Sequence, residues 1–533
     1  MATNKLIFEV EGKPSIGKLL IFAFQQVLAV LAATILVPTI IGLPVQIPAA
    51  ILGAGLGTIV YLLFTKFKSP VVISSSFAFL GALANAIAFG YLGLVLGALF
   101  AGLVYVIIAV IVKFAGTGWV EKLMPPVIIG PTVALIGLSL AVNATNDVVR
   151  ATADPVNGGY NLIALLCGLV TFFTVVILSV QNKFKAGRLV PFILGIVAGY
   201  AVASIFTVIG MVAKIDYLKI IDWSPLVKNF ENLSIESFVT YPRVSLVEGI
   251  KELIAGEPSR ATVEAFISNN SLGDAVLAHL NEGVAEAEQL KFISQATYQQ
   301  LWDSLVFLDK GLPSLITPMG VAEVALAFVP VAFVTFAEHI ADHKNLGTVI
   351  NRDLLKEPGL SRTLLGDGVG SMVGTVFGVC PNTTYGESVG CVAITKNASV
   401  RTIFVAALML IVLSFLSPLT AALRTIPNCV MGGVCLTLYG FIAVSGFKMF
   451  QKVDLNQSKN LFIVAAILIS GIGGLSLQIP YAFAPNGAVT NAITITSIAT
   501  ALILGIVTMV VCNAVEKHNA PEEDEPAEDK VEE

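Results

Sequence analysis

Apolar residues run along this chain in long blocks separated by short polar or charged intervals. Fourteen such segments can be marked, at roughly 17–41, 47–65, 70–90, 92–113, 124–143, 160–181, 189–213, 321–343, 361–379, 381–396, 401–423, 428–449, 459–475 and 489–512. Runs of about 20 apolar residues cross a hydrocarbon core as helices. The pattern therefore predicts an all-α polytopic membrane protein with fourteen transmembrane segments. Seven lie before a polar, mildly acidic interval from about Tyr241 to Pro318, and seven lie after it. That interval has amphipathic helical patterning at Val247–Leu253, Ala261–Ile267 and Leu272–Leu280, as in a small helical cap.

Composition agrees with the pattern. Of 533 residues, 56% are hydrophobic and 13% charged, against about 25% charged in soluble proteins. The first apolar run begins near Ile16 behind a Lys-containing head and is too long for a signal-peptide core, so it is expected to remain as the first span. Lys and Arg set the orientation. With the N-terminus (Lys5, Lys13, Lys18) in the cytoplasm, the inside loops hold Lys66 and Lys68, Lys113 and Lys122, Lys183 to Arg188, Lys344 to Arg362, Lys396 and Arg401, and Lys448 to Lys459. The outside loops hold few, such as Arg150 and Arg424. An even number of spans returns the acidic Pro521–Glu533 tail, source of part of the net charge of −5, to the cytoplasm. The cysteines, Cys167, Cys380, Cys391, Cys429, Cys435 and Cys512, lie in or beside apolar runs without a C-x-x-C pair. They read as small apolar side chains with no disulfide framework.

The two halves echo each other. Segment three holds Ser75-Ser76-Phe77-Ala78-Phe79 and segment ten Thr383-Thr384-Tyr385-Gly386-Glu387, in each case two hydroxyls, an aromatic and a small residue. Segments five and twelve open with Pro125-x4-Gly130 and Pro427-x4-Gly432. With seven segments per half, the second half starts on the opposite side of the membrane. A 7+7 inverted repeat of this kind places a substrate site where interrupted segments meet near the midplane.

Chemistry concentrates at two places. Val379–Gly390 carries Pro381, Asn382, two threonines, two glycines and Glu387 between apolar runs. Irregular backbone at membrane depth survives only where it is buried in protein or lines a wet cavity, and an intramembrane carboxylate is a functional candidate. Gly386 lets another molecule approach the backbone. A flat ligand with alternating donors and acceptors would satisfy the freed N–H and C=O groups, with Glu387 accepting from its N–H and Phe77 stacking on it or offering its own N–H. In segment eight, Glu338 and Asp342 are four apart and share a helix face. Two carboxylates close together in a low dielectric do not both hold charge readily, which suits a proton-coupled carrier. His339 and His343 are also four apart, but no third or fourth ligand stands at useful spacing, so no metal or other cofactor is expected. His343 is placed near the lipid–water boundary and His339 against a neighbouring helix. A membrane-embedded enzyme would need a nucleophile or metal set, of which the carboxylates supply only half, and the sequence has no G-x-x-x-x-G-K nucleotide loop. Nothing suggests a nucleic-acid partner.

Pro381-Asn382-Thr383-Thr384-Tyr385-Gly386-Glu387, with Gly390 and Ala393-Ile394-Thr395-Lys396, resembles the segment-ten signature of bacterial uracil permeases, within the nucleobase–cation symporter-2 (nucleobase–ascorbate transporter) family. Phe24-Gln25-Gln26, Ala33–Pro38, Ser75–Phe79, Ala115–Trp119, Ala337-Glu338-His339, Met431-Gly432-Gly433 and Leu438-Tyr439-Gly440 are also similar. The resemblance covers nearly the whole chain outside roughly 245–315 and the acidic tail.

The resemblance implies short antiparallel strands in segments three and ten. It also implies a core domain of spans 1–4 and 8–11 (17–123 and 321–424) and a gate domain of spans 5–7 and 12–14 (124–213 and 425–512). The remainder is a cytoplasmic N-terminus (1–16), an extracytoplasmic insertion (214–320) and a cytoplasmic tail (513–533). By motif, Glu338 and Glu387 would bind a pyrimidine and the backbones of Phe77 and Gly386 its carbonyls. Ala33 and Tyr385 would shape the pocket, and Tyr439 would face it. Glu338, Asp342 and Glu387 would carry proton coupling. The implied activity is import of uracil with protons across a bacterial inner membrane, with xanthine or urate as the alternative substrate class. Members are often homodimers. The chain departs from the best-known uracil permeases in having Asp342 where they have His one turn after the first Glu, and in its longer insertion.

Overall fold

The structure is a computed structural model and describes residues 6–151, 160–181, 187, 191–255, 318–451, 453–483 and 489–519. The first half contains α1 (Ile16–Ile40), α2 (Ile47–Phe64), β1 (Ile73–Ser75), α3 (Leu80–Ala86), α4 (Gly90–Ala115), α5 (Gly118–Leu123), α6 (Pro126–Ser139), α7 (Ala141–Val148), α8 (Leu162–Val180) and α9 (Pro191–Ala213). Two amphipathic helices follow, α10 (Ser224–Glu231) and α11 (Ser245–Ala255). The second half contains α12 (Pro318–Ile350), α13 (Leu360–Phe377), β2 (Asn382–Thr384), α14 (Gly386–Thr395), α15 (Val400–Leu413), α16 (Ser417–Leu423), α17 (Asn428–Phe450), α18 (Ser458–Ile472), β3 (Leu477–Phe483), β4 (Val489–Ile495) and α19 (Ser497–Asn519).

The protein is a mostly helical polytopic membrane protein. Among the described residues, nine helices are long and apolar enough to cross a membrane, and the stretches Phe77–Ala86, Val400–Leu413 and Ser458–Ile472 are shorter apolar helices. α13 falls in neither group because Arg362, Asp367 and four glycines dilute its apolar content. It is nonetheless deeply enclosed, between α2 and α4. Close approach makes that packing work. A Cβ on Gly374 would collide with the backbone of Gly53 and the side-chain amide of Asn382, and small residues at facing positions are what let membrane helices touch.

Two sets of helices pack within themselves. α2, α4 and α13 form one set, with α12 against α4 and with α1 and α2 against α15. α6 and α17 centre the other, joined by α7, α8, α9, α18 and α19. α12 contacts α6 and α19 across the divide.

The chain is not wholly α. β1 and β2 pair antiparallel, Ile73 with Thr384, Ser74 with Thr383 and Ser75 with Asn382. A separate antiparallel pair joins β3 to β4, which follow each other in the chain. Segment fourteen, read from sequence as helix from residue 489, therefore begins as strand. The run Val489-Thr490-Asn491-Ala492-Ile493-Thr494-Ile495 has five β-branched residues in seven, which favour a pleated strand. At its far end α19 passes residue 512 and continues to Asn519, where Glu516 pairs with Lys459 at 2.6 Å. Of the helical patterns in the polar interval, Val247–Leu253 lies within α11, while those at 261–267 and 272–280 lie outside the described residues. α11 docks on the helical body: Glu252 accepts from Tyr91 N–H at 3.0 Å, at the start of α4, and Ser245 Oγ donates to Gly378 C=O at 2.5 Å, just past α13.

The N-terminal segment ahead of α1 lies beside the loop after α14. Ile7 N–H donates to Lys396 C=O at 2.7 Å and Val400 N–H to Val10 C=O at 3.0 Å. Arg352 grips both oxygens of Glu11, at 2.7 and 2.8 Å, and Lys68 pairs with Glu357. The Arg352 guanidinium holds the Glu11 carboxyl below its ordinary value of 4.5. A lowered folded-state pKa adds stability above the unfolded value, and that stability is lost as pH falls through the folded one. The pair is largely exposed, so Glu11→Gln is expected to cost under about 1 kcal/mol at neutral pH. The gap in thermal midpoint between wild type and variant should close on acidification below about pH 4; a gap that persists in acid would assign the effect to packing.

Candidate functional site

The site is built at two breaks in the helical pattern. β1 passes through Ser76 into a short 3-10 turn at Phe77–Phe79 and then α3. β2 passes through Tyr385 directly into α14, whose first residues are Gly386 and Glu387. Ser76 N–H donates to Pro381 C=O at 3.0 Å, extending the ladder by one bond. Two helix starts thus meet at the paired strands, and the first N–H groups of a helix have no partner within it.

Side chains satisfy the other strand edge. Thr58 of α2 both donates to Ile73 C=O and accepts from Ile73 N–H, each at 3.1 Å. Ser388 of α14 accepts from Val72 N–H at 3.0 Å and donates to Gln26 Oε1 of α1 at 2.9 Å. Ser74 and Thr34 hydroxyls lie 2.6 Å apart. Thr34 donates to Val30 C=O, so Ser74 is the donor to Thr34. Asn382 Nδ2 donates to Gly53 C=O at 3.0 Å.

A cavity of about 740 Å³ opens beside the strands. Its wall includes Ser76, Phe77, Glu338, Asp342, Thr383, Tyr385, Gly386 and Glu387, and it extends to Ser179, Pro191 and Lys448. Most of the residues singled out from sequence therefore converge. Gly386 is exposed to it, and an added Cβ there would meet only Asp342 Oδ1, at 3.7 Å. Asp342 is buried, 8% exposed, and accepts from Thr384 Oγ at 3.3 Å. Glu338 Oε2, Tyr385 OH and Ser76 Oγ are buried without a hydrogen-bond partner among the described residues. Tyr439 is buried with its ring edge-on to Phe77, centroids 5.3 Å apart, and stands behind Phe77 rather than in the cavity wall. Ala33 falls within α1; its side chain lies outside the described residues.

Sequence reading missed the layer behind the cavity. His339 Nδ1 lies 2.6 Å from Asp367 Oδ2 and its Nε2 3.0 Å from Thr363 Oγ. Thr383 Oγ donates to the same Asp367 oxygen at 3.3 Å. A lone Asp between two glycines, in an otherwise apolar segment, was the available signal. His343 is not at the lipid boundary. It is 1% exposed, held by His339 C=O at 2.8 Å and Tyr61 OH at 2.7 Å, because α12 continues for two more turns as far as Ile350. Both imidazoles are thus engaged by protein groups.

A polytopic helical bundle with a largely apolar cavity that carries a few carboxylates at a pair of intramembrane breaks has the form of a membrane transporter. The permease family profile matches residues 17–250 and 307–480. The chain belongs to that family, the nucleobase–cation symporter-2 family. It is similar to the uracil permease of Bacillus caldolyticus, with 32% identity over 493 residues, 92% of this chain and 93% of the relative. It is also similar to the uracil permease of Bacillus subtilis (strain 168), with 30% identity over 490 residues, 90% and 91% respectively. The structure of SLC26A9 shares the fold, with TM-score 0.50 and 12% identity over 94% of this chain and 66% of that one.

Gly386→Ala is expected to leave thermal stability within about 0.5 kcal/mol of wild type, because its methyl enters the cavity and not the packed wall. Thermal unfolding of the purified protein checks this; a large loss of stability would mean the break at Gly386 is closed by protein contacts.

Proposed function

We propose that the protein is a secondary transporter that carries uracil with protons across a bacterial inner membrane. The observation that carries this reading is the set of buried polar groups on the cavity wall that lack protein partners, Glu338 Oε2, Tyr385 OH and Ser76 Oγ. Leaving such groups unpaired costs about 1–3 kcal/mol each. A small planar ring with N–H donors and carbonyl acceptors at its edge satisfies them. Glu338 and Glu387 take the ring N–H groups. The helix-start N–H groups at Phe77 and Gly386 take its carbonyls. Tyr385 bounds the pocket, and Tyr439 backs Phe77. The uracil permeases among its relatives, similar over most of their length, support the same substrate.

Proton coupling falls to Glu338, Asp342 and Glu387, which face one cavity and do not all hold charge together. The fourteen spans form a seven-plus-seven inverted repeat. The helix set around α2, α4 and α13 is the core domain and the set around α6 and α17 the gate. The cavity reaches Ser179, Pro191 and Lys448, at segment ends beside Lys- and Arg-rich loops. Those ends are cytoplasmic, and both termini lie on that side, so this conformation is the inward-facing one of an alternating-access cycle.

Uptake of labelled uracil into proteoliposomes tests the proposal. An inward proton gradient should drive accumulation, and a protonophore should collapse it. Equal uptake with and without the gradient would exclude proton symport, and transport of xanthine but not uracil would exclude the substrate. Glu387→Gln is expected to lower uptake by at least about tenfold, through loss of a charge-assisted hydrogen bond worth roughly 1.5–3 kcal/mol. Asp342→Asn should move the pH–rate profile more than the apparent affinity, and an unchanged profile would remove Asp342 from the coupling path.

A further inference from the structure

The helix set around α2, α4 and α13 and the set around α6 and α17 are joined covalently where α4 runs to α6, α9 to α12 and α15 to α17. On the topology proposed above, the last two connections lie on the extracytoplasmic face. The first of these leaves α9 and reaches α11 through residues 214–244, and the second is α16 with its flanking turns. They are bonded to each other. Thr240 N–H donates to Phe415 C=O at 2.9 Å, and Ser417 N–H to Phe238 C=O at 3.1 Å. Ser417 Oγ donates to Asn229 Oδ1 at 2.6 Å. At the gate end both connectors come to one side chain, Tyr200 of α9. Trp223 Nε1–H, just before α10, donates to Tyr200 OH at 3.0 Å. The hydroxyl of Thr425, just past α16, lies 2.8 Å from the same Tyr200 oxygen. Further along α9, Thr207 Oγ accepts from Ile220 and Ile221 N–H, each at 3.0 Å. At the core end, α11 is docked on α4 and past α13 by the Glu252 and Ser245 bonds. Tyr200 does not line the substrate cavity.

We infer that Tyr200 is the pivot of the alternating-access step, a positioning residue that fixes the gate ends of both extracytoplasmic connectors so that the core swings about one point. This rests on the core-and-gate reading above. Relative motion of two packed bodies is absorbed at a few residues of the segments that join them. Two connectors bending independently would let the core tilt and twist as well as swing. Bonded to each other and to one hydroxyl, they bend as a single arm. Removing that hydroxyl takes a partner from Trp223 Nε1–H and from Thr425 Oγ, and alters nothing in the cavity wall. Substrate is then bound as before, and the step that carries it across is slower.

Tyr200→Phe is the direct test, with uracil binding measured on the purified protein and exchange of labelled for unlabelled uracil measured at saturating substrate in proteoliposomes. Affinity should be unchanged while the exchange rate falls to about one-fifth, the factor that one net hydrogen bond is worth. Trp223→Phe and Thr425→Val each cut one tie and should slow exchange at unchanged affinity. Either one combined with Tyr200→Phe should be no slower than Tyr200→Phe alone, since both act through the same hydroxyl; losses that multiply would overturn the pivot. If Tyr200→Phe fails to fold, the two single-tie variants decide, and wild-type exchange in both would overturn it. Wild-type exchange in Tyr200→Phe, or a fall in affinity that matches the fall in rate, would also overturn the pivot and leave the transporter reading standing. A wild-type protein that does not exchange uracil would overturn that reading as well.

Discussion

Every backbone N–H and C=O at membrane depth must find a partner, and the architecture here follows from where that rule is strained. A continuous helix meets it internally. Segments three and ten do not continue as helices, and each leaves a few extended residues in the middle of the protein. Three pairs between β1 and β2 settle one edge. The other edge is settled by side chains sent from elsewhere, with Thr58 on both polar groups of Ile73 and Ser388 on Val72. Each break thus finds its backbone partners in the other and in side chains of α2 and α14, with α1 bonded to the same layer. The helix starts at Phe77 and Gly386 lie at these breaks, and the cavity forms there.

This arrangement makes the site rigid on one side. The strands sit against α2 and α13, which approach so closely that Asn382 bonds to a backbone carbonyl of α2 and no side chain fits on Gly374. α12, which carries Glu338, His339, Asp342 and His343, is fixed to the same set by the Asp367 and Tyr61 contacts. The facing helices reach this unit through apolar surface such as the Phe77–Tyr439 ring contact. Apolar ring contacts have no fixed register, whereas buried hydrogen-bonded pairs do. The cavity carboxylates therefore sit on one set of helices, and the contact that bounds them includes apolar rings without a fixed register.

Much of this was legible from the chain alone, for identifiable reasons. Polar residues inside an apolar run have few explanations, so Glu387 and the Thr-Thr-Tyr-Gly run marked the break in segment ten, and Glu338 marked segment eight as part of the site. Spacing of four placed Asp342 with Glu338. The hairpin before α19 was misread because Val, Ile and Thr are as apolar in a membrane helix as in a strand, and a hydropathy run does not separate the two. Asp367 was passed over because its partners, His339 and Thr383, are 28 and 16 residues away in sequence; only packing of α13 against α12 and β2 brings them together. His343 was misplaced because the polar end of segment eight looked like the end of the helix, when α12 runs on to Ile350.

The placement of carboxylates explains why a second layer exists at all. Asp342 in the cavity wall and Asp367 behind it are both buried, and both accept from β2. A buried carboxylate needs a counter-charge, a proton or several donors to be tolerated. Asp367 has a histidine and a threonine, whereas Asp342 has one threonine hydroxyl and the cavity. The strand between them is three residues long and pinned at both ends, so it cannot absorb a change at one carboxylate by bending freely. Adjacent residues of that strand, Thr383 and Thr384, thus hold the two acids. The same short strand that resolves the backbone problem is therefore also a link between the two acids, through two neighbouring threonines.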